Sequence, residues 1–261
     1  MNIELEARRL EEWDNTPDVL ELLDVVSNGD ILEIGTGTGK IIEELSKYLA
    51  DAKFTGIDIE EYFIRIARKK RIPNADFIVA NAFNRVLDSE SYDYVIFRDS
   101  LHQIQNHEGP QGVIKSIENA FYYLRNRGKI VIRDAIKSEP IKIEVKLDPY
   151  YLTLFYKFLE NKLDNTDWTL KGDILKIDAA DLTSFLGNWR KIEMDKDIKI
   201  RKSKHYSISE YNDILNEIGF KCEEIRRYRY SSHLIPNGVE INQDNLPETY
   251  AMFVYNKKVS K

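Results

Sequence analysis

Short apolar runs alternate, through the first half of the chain, with longer stretches in which apolar residues recur at every third or fourth position. The short runs are typical of buried strands, and the longer stretches are typical of helices with one buried face. This alternation predicts βαβ units and a parallel sheet. The predicted strands are DILEIG, KFTGID, DFIVAN, YDYVIFRD and GKIVIRDA, and helices are predicted to begin near Lys40, Glu61 and Gly112.

The same pattern divides the chain into three segments. Residues 1–135 hold one or two leading helices and the five strands. Residues 136–205 interrupt the alternation, and their apolar spacing predicts helices. Residues 206–261 resume with a helix and two strands, KCEEIRRYRY and TYAMFVYNKK. Because the interruption follows the fifth strand, at the sheet edge where α/β folds bind ligands, residues 136–205 are expected to form a helical lid and substrate subdomain.

Composition narrows the function classes. A chain of 261 residues suffices for one α/β domain with an insertion. No apolar run approaches the roughly 20 residues of a membrane helix, so a soluble, cytoplasmic protein without a membrane partner is expected. The net charge of −6 disfavours a nucleic-acid partner. The single cysteine, Cys222, excludes an intrachain disulfide and is expected to pack as a small hydrophobe.

The stretch ILEIGTGTGK joins a predicted strand to three alternating glycines. A strand that turns into a helix in this way presents free backbone N–H groups at the ligand-binding edge of the sheet. A dinucleotide fingerprint would need glycine at Lys40, and a P-loop would need serine or threonine at Ile41. Asp58 ends the second predicted strand, 19 residues after Gly39, where an acidic residue can accept both hydroxyls of an adenosine ribose. A tight turn without a ligand is the alternative.

These residues resemble the first motifs of class I (Rossmann-like) S-adenosylmethionine-dependent methyltransferases, an acidic residue ahead of Gly-x-Gly-x-Gly and a second one after the next strand. The resemblance implies that Glu33 faces the cationic end of S-adenosylmethionine, that Asp58 binds its ribose and that Ile59 lies against its adenine. Asn81 stands where the family usually has aspartate, and its carbonyl oxygen can accept the same hydrogen bond. The implied cofactor-binding residues are Glu33, Gly35, Thr36, Gly37, Gly39, Asp58, Ile59, Asn81, Ala82, Phe83 and Arg98.

The resemblance covers residues 31–134, and the family's closing helix and strands correspond to residues 206–257. It implies an α/β, doubly wound, mostly parallel seven-stranded sheet whose last strand is antiparallel, with the helical lid inserted after the fifth strand. It also implies a methyltransferase that transfers a methyl group from S-adenosylmethionine to a small or medium-sized molecule. An RNA or protein methyltransferase, and a catalytically silent S-adenosylmethionine-binding partner subunit, are the alternatives.

The candidate catalytic residues follow the fourth predicted strand. Methyl transfer needs an oriented acceptor, and it needs a base only where the acceptor loses a proton. His102 resembles a histidine that many small-molecule methyltransferases carry near this position, and Asp99 is the second candidate. The alternatives are that His102 packs in a loop helix and that Asp99 caps a helix. These two ligands without a third do not predict a metal site.

Two features of residues 136–205 bear on the acceptor. Tyr150, Tyr151 and Phe155 lie in an aromatic-rich predicted helix and are the candidate substrate-binding residues. The alternative is that these rings only pack against the core. The run DIKIRKSKHY is basic and would suit RNA or an anionic substrate, although a solvated hinge is the commoner meaning of such a run.

Overall fold

The computed structural model describes residues 3–12, 15–137, 140–162, 165–194, 205–229, 235–242 and 246–258. The chain divides into two compact units. Unit 1 takes the described residues of Met1–Asp134, Ser209–Arg226 and Met252–Lys261, and unit 2 takes those of Ala135–Ile208 and Arg227–Ala251. The basic positions Lys199, Arg201, Lys202 and Lys204 lie outside the described residues.

The elements are numbered in chain order. The helices are α1 (Ile3–Glu12), α2 (Thr16–Leu23), α3 (Lys40–Leu45), α4 (Glu61–Lys69), α5 (Leu101–Tyr123), α6 (Pro149–Asn161), α7 (Ala179–Met194) and α8 (Ile208–Ile218). The strands are β1 (Asp30–Ile34), β2 (Lys53–Asp58), β3 (Ala75–Val79), β4 (Tyr92–Arg98), β5 (Leu124–Ala135), β6 (Lys142–Leu147), β7 (Trp168–Lys171), β8 (Ile174–Asp178), β9 (Phe220–Arg229), β10 (Val239–Ile241) and β11 (Glu248–Lys257).

Within the described residues, the larger sheet has seven strands in the order β3-β2-β1-β4-β5-β11-β9. Neighbouring strands among β1 to β5 pair in parallel. The sheet is mostly parallel with one antiparallel strand and is flanked by helices, so the predicted α/β sheet is confirmed. Because parallel strands end at one edge of a sheet, the residues that follow β1, β2, β4 and β5 meet at that edge.

The centre of this sheet is apolar on both faces. Ile31 and Leu32 of β1, and Val95 and Ile96 of β4, have no exposed surface. Strands that are covered on both faces are expected to be continuous apolar runs, as these two are in the sequence. The packed strands therefore form a rigid support for the polar residues that follow their ends.

Helix α5 begins earlier than the helix predicted from Gly112, and it contains a break. Gly109 has φ 72° and ψ −171°, and Pro110 follows it. Proline lacks the N–H group that would continue the hydrogen-bond ladder, but it suits the first turn of a new helix. The segment before the break carries His102 and is a separate short helical stretch at the ligand-binding edge.

Unit 2 contains the helices α6 and α7, as expected for residues 136–205, together with strands that were not predicted. Its described residues contain a four-stranded sheet in the order β10-β6-β8-β7, with antiparallel pairs. In β6, Ile143, Val145 and Leu147 are buried and alternate with exposed charged residues. This period of two, in KIEVKL, indicates a half-buried strand and is the evidence in the sequence that would have predicted the sheet.

Helices α6 and α7 share an apolar core with β6 and β8. Phe155, Phe158 and Phe185 have no exposed surface in this core. Lys162 and Asp181 form an ion pair of 2.5 Å with side chains that are 1% and 5% exposed. Unit 2 therefore has a core of its own, and its one buried lysine is neutralised by a carboxylate among the described residues.

Across the described residues, no helix combines the length and the apolar character that a membrane crossing requires. Cys222 is exposed, which corrects the expectation that it packs as a small hydrophobe. It lies on β9, the edge strand of the larger sheet, in a stretch of exposed residues.

Candidate cofactor and active site

The glycine turn after β1, residues 35–39, packs closely against the start of α5. Gly35 has φ +80°, and a Cβ atom built on it would lie 2.5 Å from the Cβ atom of Ser100. The Ser100 hydroxyl donates a 2.9 Å hydrogen bond to the carbonyl oxygen of Ile34. Glycine combines this positive φ with so close an approach at no steric cost. The contact brings the first turn of α5, which carries His102, next to the glycine turn.

The backbone N–H groups of the turn are engaged by the protein itself. Gly35 and Thr36 donate to the carbonyl oxygen of Ile57, at 2.8 and 3.0 Å. Gly37 donates to Oδ2 of Asp58 at 2.8 Å. These bonds correct the expectation of free N–H groups at these three positions. These three N–H groups already donate to protein acceptors, so we expect side chains around the turn to make most of the polar contacts with a ligand.

Glu33 is a buried carboxyl group at the end of β1. Its side chain accepts a 2.5 Å hydrogen bond from the Thr36 hydroxyl, and the residue is 2% exposed. Burial raises the pKa of Glu33 to about 7, although the Thr36 hydrogen bond and the charge of Arg98 each lower it. Such a group changes charge near neutral pH, and a ligand cation placed beside it would favour the ionised form.

Asp58 ends β2 and joins the second strand to the glycine turn. Its Oδ1 accepts a hydrogen bond from the N–H group of Glu60 at 2.9 Å, and its Oδ2 accepts the one from Gly37. A carboxylate has about four lone-pair sites, so these backbone bonds still leave lone-pair capacity for a hydroxyl donor. Burial raises the pKa of Asp58, and these backbone hydrogen bonds oppose the shift. The next residue, Ile59, is apolar and 60% exposed.

The segment after β3 is fixed by hydrogen bonds to α5 and within itself. Oδ1 of Asn81 accepts a 2.9 Å hydrogen bond from the N–H group of Phe83. The carbonyl oxygen of Ala82 accepts a 2.8 Å hydrogen bond from Asn119, which has no exposed surface. The amide oxygen of Asn81 keeps a second lone pair, so it can still accept from an adenine amino group. Asn119 is a supporting residue that the sequence analysis did not identify.

Arg98, at the end of β4, is engaged by protein groups on several sides. Its guanidinium donates to Asp18 and to Asn15, and its Nε lies 3.1 Å from Oδ2 of Asp99. Arg133, at the equivalent place on β5, pairs with Asp18 across 2.7 Å. Asp18 of α2 therefore links the ends of the two strands. The direct contact of Arg98 with a cofactor stays a prediction.

His102 is held by one carboxylate from the end of β5. Its Nδ1 lies 2.5 Å from Oδ1 of Asp134, and its backbone N–H group donates to Oδ2 of the same residue at 3.0 Å. Its Nε2 lies 2.8 Å from the side-chain amide of Gln103. Burial lowers the pKa of His102, but the Asp134 and Asp99 carboxylates raise it, and the net shift is upward.

Asp99 has φ +51° and lies in the turn between β4 and α5. It is not the N-cap of α5, because Ser100 occupies that position. Ligand atoms of Asp99, His102 and Asp134 lie within 4.8 Å of one another, which is close enough for a metal ion. However, Asp99 pairs with Arg98, and both oxygens of Asp134 bind His102. The protein balances these charges, so we interpret the group as a hydrogen-bonded network.

Asp134 was not among the residues identified from the sequence. The evidence for it is a repeated dipeptide, since Arg-Asp occurs at the end of β4, as Arg98-Asp99, and again near the end of β5, as Arg133-Asp134. Arg98 is the register partner of Arg133 in the parallel pair. The aspartates that follow therefore leave neighbouring strands at the same level, which brings Asp134 to the start of α5.

Residues 31–125 match the family described as a methyltransferase domain. This match supports a class I S-adenosylmethionine-dependent methyltransferase. It is similar to the demethylmenaquinone methyltransferase of Thermotoga maritima, with 24% identity over 141 residues that cover 54% of this chain and 58% of the relative. It is also similar to the release factor glutamine methyltransferase of Fusobacterium nucleatum, with 25% identity over 125 residues that cover 42% of this chain and 35% of the relative.

A solved structure extends the likeness of this chain to its whole fold. An S-adenosylmethionine-dependent methyltransferase from Aquifex aeolicus superposes with a TM-score of 0.57 at 15% identity, covering 99% of this chain and 100% of that one. At this identity the likeness concerns the fold alone. The chain spans less than two thirds of the length of either curated relative.

The side chains at this edge of the larger sheet fit S-adenosylmethionine, the cofactor that the comparisons support. The cofactor has an amino-acid end with an ammonium group, a ribose with two hydroxyls and a flat adenine ring. The buried Glu33 carboxyl suits the cation, and the free lone pairs of Asp58 suit the hydroxyls. The exposed side chain of Ile59 offers an apolar surface to the ring. The individual contacts of these residues with the cofactor stay predictions.

The three aromatic residues assigned to substrate binding have different environments within unit 2. Phe155 has no exposed surface, and Tyr151 is 8% exposed in the same core. The apolar surface of both rings is covered by α7 and the smaller sheet, which favours the packing alternative, and their role in substrate binding stays a prediction. Tyr150 is 46% exposed, and its hydroxyl bonds to Glu193. Its role in substrate binding stays a prediction.

Proposed function

We propose that this protein transfers a methyl group from S-adenosylmethionine to a small or medium-sized molecule. The observation that carries the proposal is the close approach of Gly35 to Ser100. A Cβ atom added at Gly35 would lie only 2.5 Å from the Cβ atom of Ser100. This contact joins the glycine turn, with Glu33 and Asp58 beside it, to the helix that carries His102. Groups suited to the cofactor and a candidate base therefore share one edge of one rigid sheet.

The cofactor residues would act by binding and orienting. S-adenosylmethionine supplies a methyl group on a sulfonium and leaves as a neutral thioether. Glu33 would hold the cationic end as a carboxylate, and Asp58 would accept the ribose hydroxyls. Orientation of an acceptor can contribute about 7 to 11 kcal/mol to such a reaction, so residues that only position the reactants are sufficient for much of the rate.

The charges at this edge favour a small acceptor over RNA. Arg98 and Arg133 are the cations beside the candidate base, and both pair with Asp18. A cation that is engaged in this way is a poor contact for a phosphate backbone. The net charge of −6 also opposes attraction to nucleic acid. A protein acceptor is supported by the name of one relative, so it is an outcome of the test below.

Calorimetry and a labelled-methyl screen test the proposal. We expect the purified protein to bind S-adenosylmethionine and S-adenosylhomocysteine and to ignore a nicotinamide dinucleotide. We also expect transfer of label into a metabolite extract and not into total RNA or total protein. Label in RNA or protein would contradict the acceptor class. Binding of the cofactor with no transfer to any pool would favour the silent-subunit alternative.

A further inference from the structure

One carboxylate makes two contacts with His102, and these contacts fix the ring. Asp134 has no exposed surface, and its two oxygens lie 2.5 Å from the ring Nδ1 and 3.0 Å from the backbone nitrogen. Ser100, the N-cap of α5, makes no side-chain capping bond, so Asp134 also satisfies an N–H group of the first helical turn. The end of β5 and the start of α5 therefore hold the imidazole from two directions.

The contact with Asp134 decides which ring nitrogen carries the proton. An ionised carboxylate only accepts hydrogen bonds, so Nδ1 must be the donor. In the neutral ring, Nε2 then has the free lone pair. The amide of Gln103, which lies 2.8 Å from Nε2, would donate to that lone pair. Because Gln103 is an exposed side chain, an acceptor group can take its place at Nε2.

Three charged groups face the ring from the elements around it. Asp134 approaches from β5, Asp99 from the turn before α5, and Arg98 from β4. Burial lowers the pKa of His102 and Arg98 lowers it further, while Asp134 and Asp99 raise it. The two carboxylates outweigh burial and the guanidinium. They would therefore stabilise the imidazolium that forms when Nε2 takes a proton.

We propose that Asp134 is a positioning residue that holds His102 with its proton on Nδ1, so that Nε2 removes a proton from the acceptor. The acceptor class follows from this arrangement. A lone pair on the acceptor forms the new bond to the methyl carbon, the electron pair of the broken bond goes to sulfur, and the acceptor's proton moves to Nε2. The acceptor atom thus carries a proton that it loses, as a hydroxyl, a thiol or an N–H group does, and it is not a thioether or a tertiary amine. This inference rests on the proposed methyl transfer.

Nitrogen-15 NMR of the cofactor-free protein tests the positioning without any reaction. We expect the wild-type ring to carry its proton on Nδ1. In Asp134→Asn the amide oxygen can keep the bond to the backbone N–H group, while the amide nitrogen would donate to Nδ1. The proton should therefore move to Nε2, and the pKa of His102 should fall. Asp76→Asn, at an exposed position on β3, is the matched control and should change neither property.

Kinetics with an acceptor from the screen test the role of Nε2. In Asp134→Asn we expect kcat to fall about 10²- to 10⁴-fold, the usual range for a general base, with the dissociation constant for S-adenosylmethionine unchanged. The acidic limb of the remaining activity should move to lower pH, because the imidazole loses its carboxylate neighbour. His102→Gln should lose as much activity, and the double variant should lose little more.

Several results would overturn the inference. A wild-type ring protonated on Nε2, which needs no variant to detect, would contradict the positioning by Asp134. An unchanged kcat after the tautomer has moved would contradict the role of Nε2. Methyl transfer to thioethers or tertiary amines would contradict the acceptor class. A wild-type protein that transfers no methyl group contradicts the proposed function instead, and the tautomer measurement still decides the positioning.

Discussion

Asp58, at the end of β2, accepts a 2.8 Å hydrogen bond from the N–H group of Gly37 in the glycine turn. The bond crosses from the second strand to the loop after the first. One oxygen of the carboxylate thus holds the glycine turn in place, and the other accepts a hydrogen bond from the backbone N–H group of Glu60 at 2.9 Å. The side chain that is expected to bind the ribose is therefore positioned by two backbone donors before any ligand arrives.

Replacing Asp58 with alanine should weaken S-adenosylmethionine binding by about 1.5 to 3 kcal/mol, the range for hydrogen bonds to a charged group. That corresponds to a rise of about 10- to 150-fold in the dissociation constant measured by calorimetry. Asp51→Ala, at an exposed position just before β2, is the control and should bind normally. An unchanged constant for Asp58→Ala would remove this residue from the cofactor site.

The contact between Gly35 and Ser100 predicts a steric cost at this position. Gly35→Ala combines a positive φ with a Cβ atom 2.5 Å from Ser100, whereas Gly172→Ala has a positive φ with no atom within 4 Å. We expect about 1 kcal/mol of destabilisation at Gly172, from backbone strain alone, and about 2 to 4 kcal/mol at Gly35. Urea unfolding measures both. Equal losses would show that the close approach contributes nothing.

Glu33 should destabilise the cofactor-free protein above neutral pH. Its pKa is about 7 in the folded protein against 4.5 as the ordinary value. Between these values the unfolded chain loses the proton and the folded chain keeps it, so the free energy of unfolding falls as pH rises from about 4.5 to about 7. Glu33→Gln should therefore raise the free energy of unfolding by up to about 3 kcal/mol at pH 8 and change it little at pH 4.

The same substitution should weaken cofactor binding, because glutamine cannot supply a negative charge to the cationic end of S-adenosylmethionine. Chemical denaturation at several pH values, with calorimetry at pH 8, measures both effects. Thr36→Val is a useful comparison, since it removes the hydroxyl that donates to Glu33 and leaves the carboxyl in place. If the stability of Glu33→Gln and of the wild type changed in parallel between pH 4 and pH 8, the raised pKa would be wrong.

The sequence predicted the sheet and the positions of Glu33 and Asp58 because each depends on local pattern. Both residues follow apolar runs, and a parallel sheet brings the ends of such runs to one edge. The partner of His102 was not predicted, because Asp134 is 32 positions away and its placement depends on the register of β4 and β5. The sheet of unit 2 was not predicted, because its pairing depends on tertiary register, as between Leu147 of β6 and Val239 of β10. The acceptor-binding role assigned to residues 136–205 stays a prediction.

Packing in unit 2 gives a test that separates a core residue from a pocket residue. The ring of Phe155 contacts Phe158, Trp168 and Phe185, with centroids 5.5 to 6.0 Å apart. Phe155→Ala should lower the free energy of unfolding by about 3 to 5 kcal/mol, because it leaves a cavity among these rings. The fluorescence of Trp168, whose ring lies against Phe155, should report the transition during urea unfolding.

Tyr150→Ala is the matched control from the same helix. Tyr150 is 46% exposed, so its removal should change the free energy of unfolding by no more than about 0.5 kcal/mol. The two variants therefore separate stability from substrate binding. If Phe155→Ala stayed as stable as the wild type and raised the Michaelis constant for the acceptor, the ring would line a pocket after all. If only Tyr150→Ala raised that constant, the exposed face of α6 would bind the acceptor while its buried face holds the core.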